Sequence, residues 1–212
     1  NGVPARFERR GAHVTGSVVL GNQPMQLDGG FDGRAYRFNW IRGNDYGYVL
    51  MSVSPDGRHF SGVEWHEEPI PLFHETTWFG ERAGCGGSVA FDRLTAEKFL
   101  RRAGRFSLFG LQFGEDGAVD RDNSADSLRW LAAETTRADV QLVAHEFRRE
   151  NAALNRAFAE RALQSIRAEL ERAGANVART TYVAKGSDSP RQRPDTGAVR
   201  ALYSAVDVEI RR

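Results

Sequence analysis

"HEFRRENAALNRAFAERALQSIRAEL", residues 145–170, is the stretch that decides the fold of the second half of this chain. It starts like the end of a strand, passes through a charged turn and continues with apolar residues at helical spacing. Gly174 follows where a glycine commonly ends a helix. The pattern predicts a helix over residues 151–173, with an apolar stripe formed by Leu154, Phe158, Leu163, Ile166 and Leu170.

The segments around this helix predict further strands and one more helix. "FSLFGLQF" comes first, and "SADSLRWLAAETTR" follows with helical spacing and with Ser124 or Asp126 as its N-cap. "DVQLVAH", "TTYVAKG" and "AVDVEI" have the composition of strands, and a loop at 187–197 precedes the last of them. The order β-α-β-α-β-β implies helices on one side of a mixed sheet.

The first half of the chain has the alternation of β-structure instead. Residues 13–83 contain six candidate strands separated by turn pairs such as Gly21-Asn22 and Gly43-Asn44. In "RAYRFNWIR", Tyr36, Phe38 and Trp40 fall on one face. This spacing predicts an antiparallel meander, closed as a small barrel or folded as a sandwich.

The fold class is therefore α+β, with a change of period near residue 95. The division predicted is an antiparallel β-domain at 1–94, a linker at 95–104 and a second domain at 105–212. Within the linker, "LTAEKFLRR" can form one short helix with Thr95 as its N-cap.

Composition excludes several classes of protein. The net charge is only +1, so no global field favours nucleic acid. No apolar run is long enough to span a bilayer. Cys85 is the single cysteine, which rules out an intrachain disulfide and a multi-cysteine metal site.

Other candidate chemistry in the sequence is weak. His66, Glu67, Glu68 and His74 have zinc-type side chains, but their spacing fits no established motif, so no metal or cofactor is predicted. "GCGG" around Cys85 shows neither a helix start nor an orienting partner for a nucleophile. No catalytic residue is predicted.

The aromatic residues of the β-domain are most simply its core. Lining a cavity for a small lipid or glycan is the alternative. The residues concerned are Tyr36, Phe38, Trp40, Tyr46, Tyr48, Trp65 and Trp78.

Residues 105–212 resemble the OmpA-like domain, which occurs in OmpA, in the peptidoglycan-associated lipoprotein and in the flagellar stator protein MotB. "LFGLQFGEDGAVDRDNSADSLRWLA" looks like the family's first strand, polar loop and first helix, and "VQLVAH" like its second strand with the usual His. "LERAGANVARTTYVAKGSDSP" fits its helix end and next strand. Counting from His145, four further residues fall on family positions: Asn155, Phe158, Arg161 and Ile166.

The resemblance implies a non-catalytic domain that grips the diaminopimelate of peptidoglycan. In the family, an Asp pairs with the ligand's ammonium and an Arg with its carboxylate. Here those two positions hold Phe147 and Ala162. The family's "N-R-R-V" before the last strand appears as Tyr203, Ser204, Ala205 and Val206.

One alternative keeps a peptidoglycan site. Glu146 and Arg161 each lie one residue before the replaced pair, and with Asn155 they form the candidate binding residues. A shift of one residue turns a helical side chain by about 100°, however, which favours a charged solvated rim.

The sequence thus predicts a periplasmic, outer-membrane-associated or cell-envelope scaffold of a Gram-negative bacterium. Its peptidoglycan binding is weakened or lost, and other envelope proteins are its expected partners. The alternatives are anchoring to peptidoglycan through Glu146 and Arg161, ligand binding by the β-domain, and an unrecognised hydrolase.

Overall fold

The structure is a computed structural model of the 212-residue chain. It describes residues 3–66, 76–82, 84, 96–149, 151–188 and 204–211. The chain divides into two compact units, Asn1–Ala103 and Gly104–Arg212, each with its own core. The first is called the β-unit below and the second the α/β-unit.

The β-unit is built on a seven-stranded antiparallel sheet in which each strand pairs with the next along the chain. The predicted meander is confirmed. In the described part of the chain all seven strands form one sheet with β1 and β7 at its ends, so neither the predicted closed barrel nor the predicted sandwich is seen there. The strands are β1 Ala5–Arg10, β2 His13–Leu20, β3 Gln23–Phe31, β4 Tyr36–Arg42, β5 Asp45–Val53, β6 His59–His66 and β7 Thr76–Glu81.

Two-residue turns fix the register of this sheet. The pairs Leu20↔Gln23 and Arg42↔Asp45 enclose turns whose first residues, Gly21 and Gly43, have φ of 61° and 59°. A positive φ at the first central residue is typical of a type II′ hairpin turn, which matches the twist of the strands. The predicted turns at Gly21-Asn22 and Gly43-Asn44 are confirmed.

The core of the β-unit lies on one face of the sheet. Phe38 and Trp40 are fully buried at its centre, and Tyr36 stacks on Phe38 with ring centroids 6.1 Å apart. The predicted shared face of these three residues is confirmed. Eight buried residues form the cluster: Val14, Val18, Met25, Leu27, Phe38, Trp40, Val49 and Met51.

Two glycines on this face allow the strands to approach unusually closely. A Cβ added to Gly29 would lie 1.8 Å from the carbonyl oxygen of Arg37, and one added to Gly47 would lie 1.9 Å from that of Trp65. Both obstacles are backbone atoms of a neighbouring strand. Only glycine fits at these two positions.

The segment predicted as a linker is largely a helix. Helix α1, Ala96–Ala103, belongs to the β-unit. Phe99 is fully buried and meets the Tyr46 ring edge-on at 5.8 Å, while Lys98 Nζ donates to Gln26 Oε1 at 2.8 Å. Residues 96–103 are therefore part of the β-unit, because Phe99 packs against the face of the sheet that carries Tyr46. Thr95, the predicted cap, lies outside the described residues.

The α/β-unit has the predicted order of strands and helices. Its four-stranded sheet runs β10-β9-β11-β8, with β9 and β10 parallel and β11 antiparallel to both of its neighbours. A 3-10 turn at Val177–Arg179 precedes β10, and most of the predicted loop at 187–197 lies outside the described residues. The elements are β8 Arg105–Ser107, α2 Arg121–Arg137, β9 Asp139–His145, α3 Ala152–Arg172, β10 Thr180–Gly186 and β11 Val206–Arg211.

Both helices of this unit lie on the same face of the sheet. Trp130 of α2 contacts the Phe106 ring at 5.7 Å, and the Arg167 guanidinium of α3 lies 5.9 Å from the Tyr182 ring. Phe106 and Tyr182 share one face, because Val208 and Leu142 connect them across the sheet register. The predicted one-sided packing is therefore confirmed.

Helix α3 begins after Asn151, whose Oδ1 accepts the Leu154 amide at 2.9 Å. The predicted stripe is buried along its length with one exception. Leu154 is 49% exposed, while Asn155 next to it is buried. Compared with the predicted orientation, the first turn of α3 buries Asn155 in place of Leu154.

Candidate functional site: the turn between β9 and α3

The turn after β9 is held between the two strands that flank it. The His145 amide donates to the Ala205 carbonyl at 2.8 Å, just before β11, and the Glu146 amide donates to the Gly186 carbonyl of β10 at 3.0 Å. The polar side chains of the predicted site follow immediately. Their positions are therefore set by the end of the sheet.

The Glu146 carboxylate is buried and already bound. It is 1% exposed and accepts five hydrogen bonds from described residues. Arg148 provides three of them: Nε at 3.0 Å and the backbone amide at 2.7 Å to Oε1, and Nη2 at 2.9 Å to Oε2. The Phe147 amide at 3.0 Å and Ser204 Oγ at 3.2 Å complete the set.

These donors keep Glu146 ionised in the folded protein. Burial acts to raise the pKa of this carboxyl, but the hydrogen bonds and charge of Arg148, with help from Ser204, hold the pKa below its ordinary value of 4.5. The carboxylate and its guanidinium partner are neighbours in the same turn. The charge of the buried carboxylate is therefore neutralised by a half-exposed arginine of the same turn.

The side-chain oxygen of Asn155 is used within this turn. Its Oδ1 accepts the Arg149 backbone amide at 2.9 Å, and the side chain is buried. The Arg149 guanidinium lies 4.6 Å from the Phe158 ring and donates to the Glu115 carbonyl at 3.2 Å. Asn155 and Arg149 together fasten the turn to α3.

Arg161 is not paired with Glu146. Its Nε donates to the Asp116 backbone carbonyl at 2.7 Å, across from α3 in the loop before α2. Glu146 is bound by Arg148 instead. The structure therefore gives the two charged residues of the predicted site separate partners.

The two positions where the family carries its ligand-binding pair have structural roles here. The Phe147 ring stacks on His145 at 6.3 Å with an angle of 11° between the planes, and its amide donates to Ser204 Oγ at 3.0 Å. Ala162 is 2% exposed. A buried alanine leaves no room for a guanidinium at that position.

A serine, a histidine and an aspartate also meet at this end of the sheet. Ser107 Oγ donates to Asp207 Oδ1 at 2.6 Å, and His145 Nε2 lies 3.6 Å from Asp207 Oδ2. In a hydrolytic triad the imidazole stands between the hydroxyl and the carboxylate, so that it can take the hydroxyl proton. Here the carboxylate stands between them. This order does not activate the serine.

The sequence assigned no role to Ser107, Arg148 or Asp207, and it noted Ser204 only as a replaced family position. The signal for Arg148 was its place two residues after Glu146, in the segment expected to be a solvated charged rim. Ser107 and Asp207 are directly paired across β11 and β8, but that pairing joins the first and last strands of the unit. Nothing local in the sequence indicates it.

The other sequence candidates do not assemble into a site within the described residues. Among these, no group of three or more metal-ligating side chains comes together. Glu67, Glu68 and His74 lie outside the described residues, as does Cys85. Phe38 and Trp40 pack in the core of the β-unit. None of the helices in the described ranges has both the length and the apolar character needed to cross a membrane.

Comparison with known proteins gives little further identification. No protein-family model matches the chain, and no curated protein matches it. Among solved structures it is similar to the periplasmic domain of Helicobacter pylori MotB, residues 78–256, with 9% sequence identity and a TM-score of 0.38. The match covers 76% of this chain and 80% of that one. A likeness of this degree does not establish a family or a function.

Glu146→Gln tests whether the turn depends on its internal ion pair. We expect the free energy of unfolding of the full chain to fall by roughly 2–3 kcal/mol, since an amide N–H would face donors that need an acceptor. Urea denaturation followed by far-UV circular dichroism measures this. The matched control is Glu160→Gln, an exposed partner of Arg156 on α3, which should change stability by less than about 0.5 kcal/mol.

The pH dependence of the same variant has a defined sign. Because the folded pKa of Glu146 lies below the unfolded value of 4.5, its stabilisation is present above that value and is lost as the pH falls through the folded pKa. The Glu146→Gln variant should therefore lose less free energy of unfolding than wild type when the pH is lowered. Equal acid sensitivity in wild type and variant would contradict this assignment.

Proposed function

We propose that this chain is a non-catalytic scaffold of the bacterial cell envelope whose α/β-unit has weakened or lost the grip on peptidoglycan that its family resemblance implies. The proposal places it in the periplasm, associated with the outer membrane or with other envelope proteins. It rests on the motifs of residues 105–212 and on the geometry of the turn after β9. No cofactor is part of it.

The observation that carries the proposal is the internal saturation of Glu146. A carboxylate that binds the ammonium of a stem peptide must be open to solvent and must have acceptor positions to offer. Glu146 is buried and bound by Arg148, two backbone amides and Ser204. Arg161, the expected partner for the ligand's carboxylate, donates to a backbone carbonyl.

The arrangement of Ser107, His145 and Asp207 supports the non-catalytic part of the proposal. The hydroxyl proton is directed to the Asp207 carboxylate, so the His145 imidazole is not placed between the two as it is in a hydrolytic triad. A hydrolase would need a different nucleophile.

Co-sedimentation with purified sacculi tests the proposed function. We expect the full chain to remain in the supernatant, while a family member that retains the Asp and Arg positions co-sediments. Arg161→Ala and the matched variant Arg156→Ala, another exposed α3 arginine, should behave like wild type. If wild type sediments tightly and Arg161→Ala alone abolishes this, anchoring through Glu146 and Arg161 is correct and the proposal fails.

A further inference from the structure

Two buried carboxyl groups in the β-unit each face a histidine. Asp28 Oδ2 lies 3.1 Å from His13 Nε2, and Glu64 Oε1 lies 3.2 Å from His66 Nε2. Their side chains are 14% and 5% exposed. The α/β-unit differs, because its buried Glu146 is bound by an arginine. The β-unit therefore holds these two acids in direct contact with histidine side chains.

Glu64 is on the core face of the sheet, directly opposite Val49. Trp78 Nε1 donates to its Oε2 at 2.9 Å, which connects β7 to β6, and the His66 ring meets Trp40 edge-on at 4.8 Å. The charged groups near it are His66 on its own strand and Arg42 and Asp45 at the β4–β5 turn. Val49 and Thr76 are its partners on the neighbouring strands.

Asp28 is on the opposite face, next to the buried Leu27 and between Thr15 and Asn39 in the register. His13 faces it from β2. Arg37 of β4 shares this face and lies 3.6 Å from Asp32. The two carboxyl–histidine pairs therefore lie on both faces of one sheet.

We propose that the β-unit is a proton-responsive module, in which the Asp28–His13 and Glu64–His66 pairs hold the sheet most firmly in mildly acidic solution and less firmly as the pH rises.

Burial supplies the physical reason. It raises the pKa of Asp28 above the ordinary 3.8 and that of Glu64 above 4.5, and the contacts with His13, Trp78 and His66 offset this only in part. The folded β-unit then retains protons that the unfolded chain has released. Its stability falls as the pH rises from these ordinary values through the folded ones.

The pH dependence of stability is opposite in the α/β-unit. Arg148 lowers the pKa of Glu146 overall, so the α/β-unit loses stability when the pH falls. One chain thus combines a unit favoured by acid with a unit favoured by neutral solution. The inference is independent of whether peptidoglycan is bound.

The test is urea denaturation of the full chain at a series of pH values from about pH 4, near the ordinary carboxyl pKa values, up to about pH 8. Trp130→Phe, in the α/β-unit, serves as the parent so that fluorescence of the remaining tryptophans follows the β-unit. The urea midpoint of the parent should fall with rising pH. Asp28→Asn with Glu64→Gln should reduce that fall about twofold or more, since both titrating acids are removed.

Glu81→Gln, at the exposed end of β7, is the control and should leave the slope unchanged. A parent midpoint that is constant or rises with pH overturns the proposal whether or not the double variant folds. A folded double variant with the parent's full slope overturns it as well. If the double variant does not fold, each single variant should remove part of the slope, and an unchanged slope in both contradicts the pairs' role.

Discussion

Replacing Gly47 with alanine is expected to abolish cooperative folding of the β-unit. The new Cβ would lie 1.9 Å from the Trp65 carbonyl oxygen, and both atoms belong to central strands that cannot shift separately. Overpacking a core typically costs 1–3 kcal/mol, and a clash with backbone should cost roughly 3 kcal/mol or more. That is a large part of the roughly 5–15 kcal/mol that stabilises a domain.

Near-UV circular dichroism and tryptophan fluorescence of the full chain measure this loss. Because the two units have separate cores, the helical signal of α2 and α3 should persist in the variant. Gly16→Ala is the control on the same face: its Cβ would meet the Phe7 ring, a side chain that can move. A Gly47→Ala protein that melts like wild type would show that the close strand approach at this position is wrong.

Phe158→Ala is expected to lower the free energy of unfolding of the α/β-unit by about 3–5 kcal/mol, the range for deleting a buried aromatic side chain. Phe158 is buried on α3, meets the Phe113 ring edge-on at 6.2 Å and carries the Arg149 guanidinium on its face. The substitution removes both ring interactions and leaves a cavity. Urea denaturation followed by far-UV circular dichroism gives the value.

Leu154→Ala is the matched control for this experiment. It is one helical turn earlier on α3 and is half exposed, so its loss should stay below about 1 kcal/mol. Similar losses for the two variants would mean that the rotation of α3 assigned by the structure is incorrect. The sequence alone would have expected both residues in the core.

Much of the fold follows from local patterns in the sequence. The β-strands were predictable because turn glycines at Gly21 and Gly43 separate alternating segments, and α3 because its cap and apolar spacing agree. Strand β1 was not predicted, since "ARFERR" is dominated by charge and offers only Phe7 to the core. The N-cap of α2 is Asp120 and not Ser124 or Asp126, because Ser124 Oγ accepts the Gln112 amide at 2.8 Å.

The candidate site was less predictable than the fold. Family positions indicated Glu146 and Arg161, but whether a carboxylate is open or satisfied depends on its donors. Here Arg148 is close in sequence, whereas Ser204 is 58 positions away. The short helix predicted for "LTAEKFLRR" is present, but its packing on the sheet was not predicted, because Phe99 and Leu100 have apolar partners that only the folded sheet provides. Contacts between residues distant in sequence therefore determine both the burial of Glu146 and the packing of α1.

The position of β11 between β9 and β8 has a consequence for how the protein is made. Ser107 and Asp207, which join β8 to β11, are 100 residues apart. A ribosome that adds 5–20 residues per second needs roughly 5–20 s to cover that distance. During this interval β9 and β10 can pair, but β8 has no β11 to pair with. Its apolar Phe106 is therefore not yet covered by that strand. A nascent chain at that stage is a natural client for a chaperone.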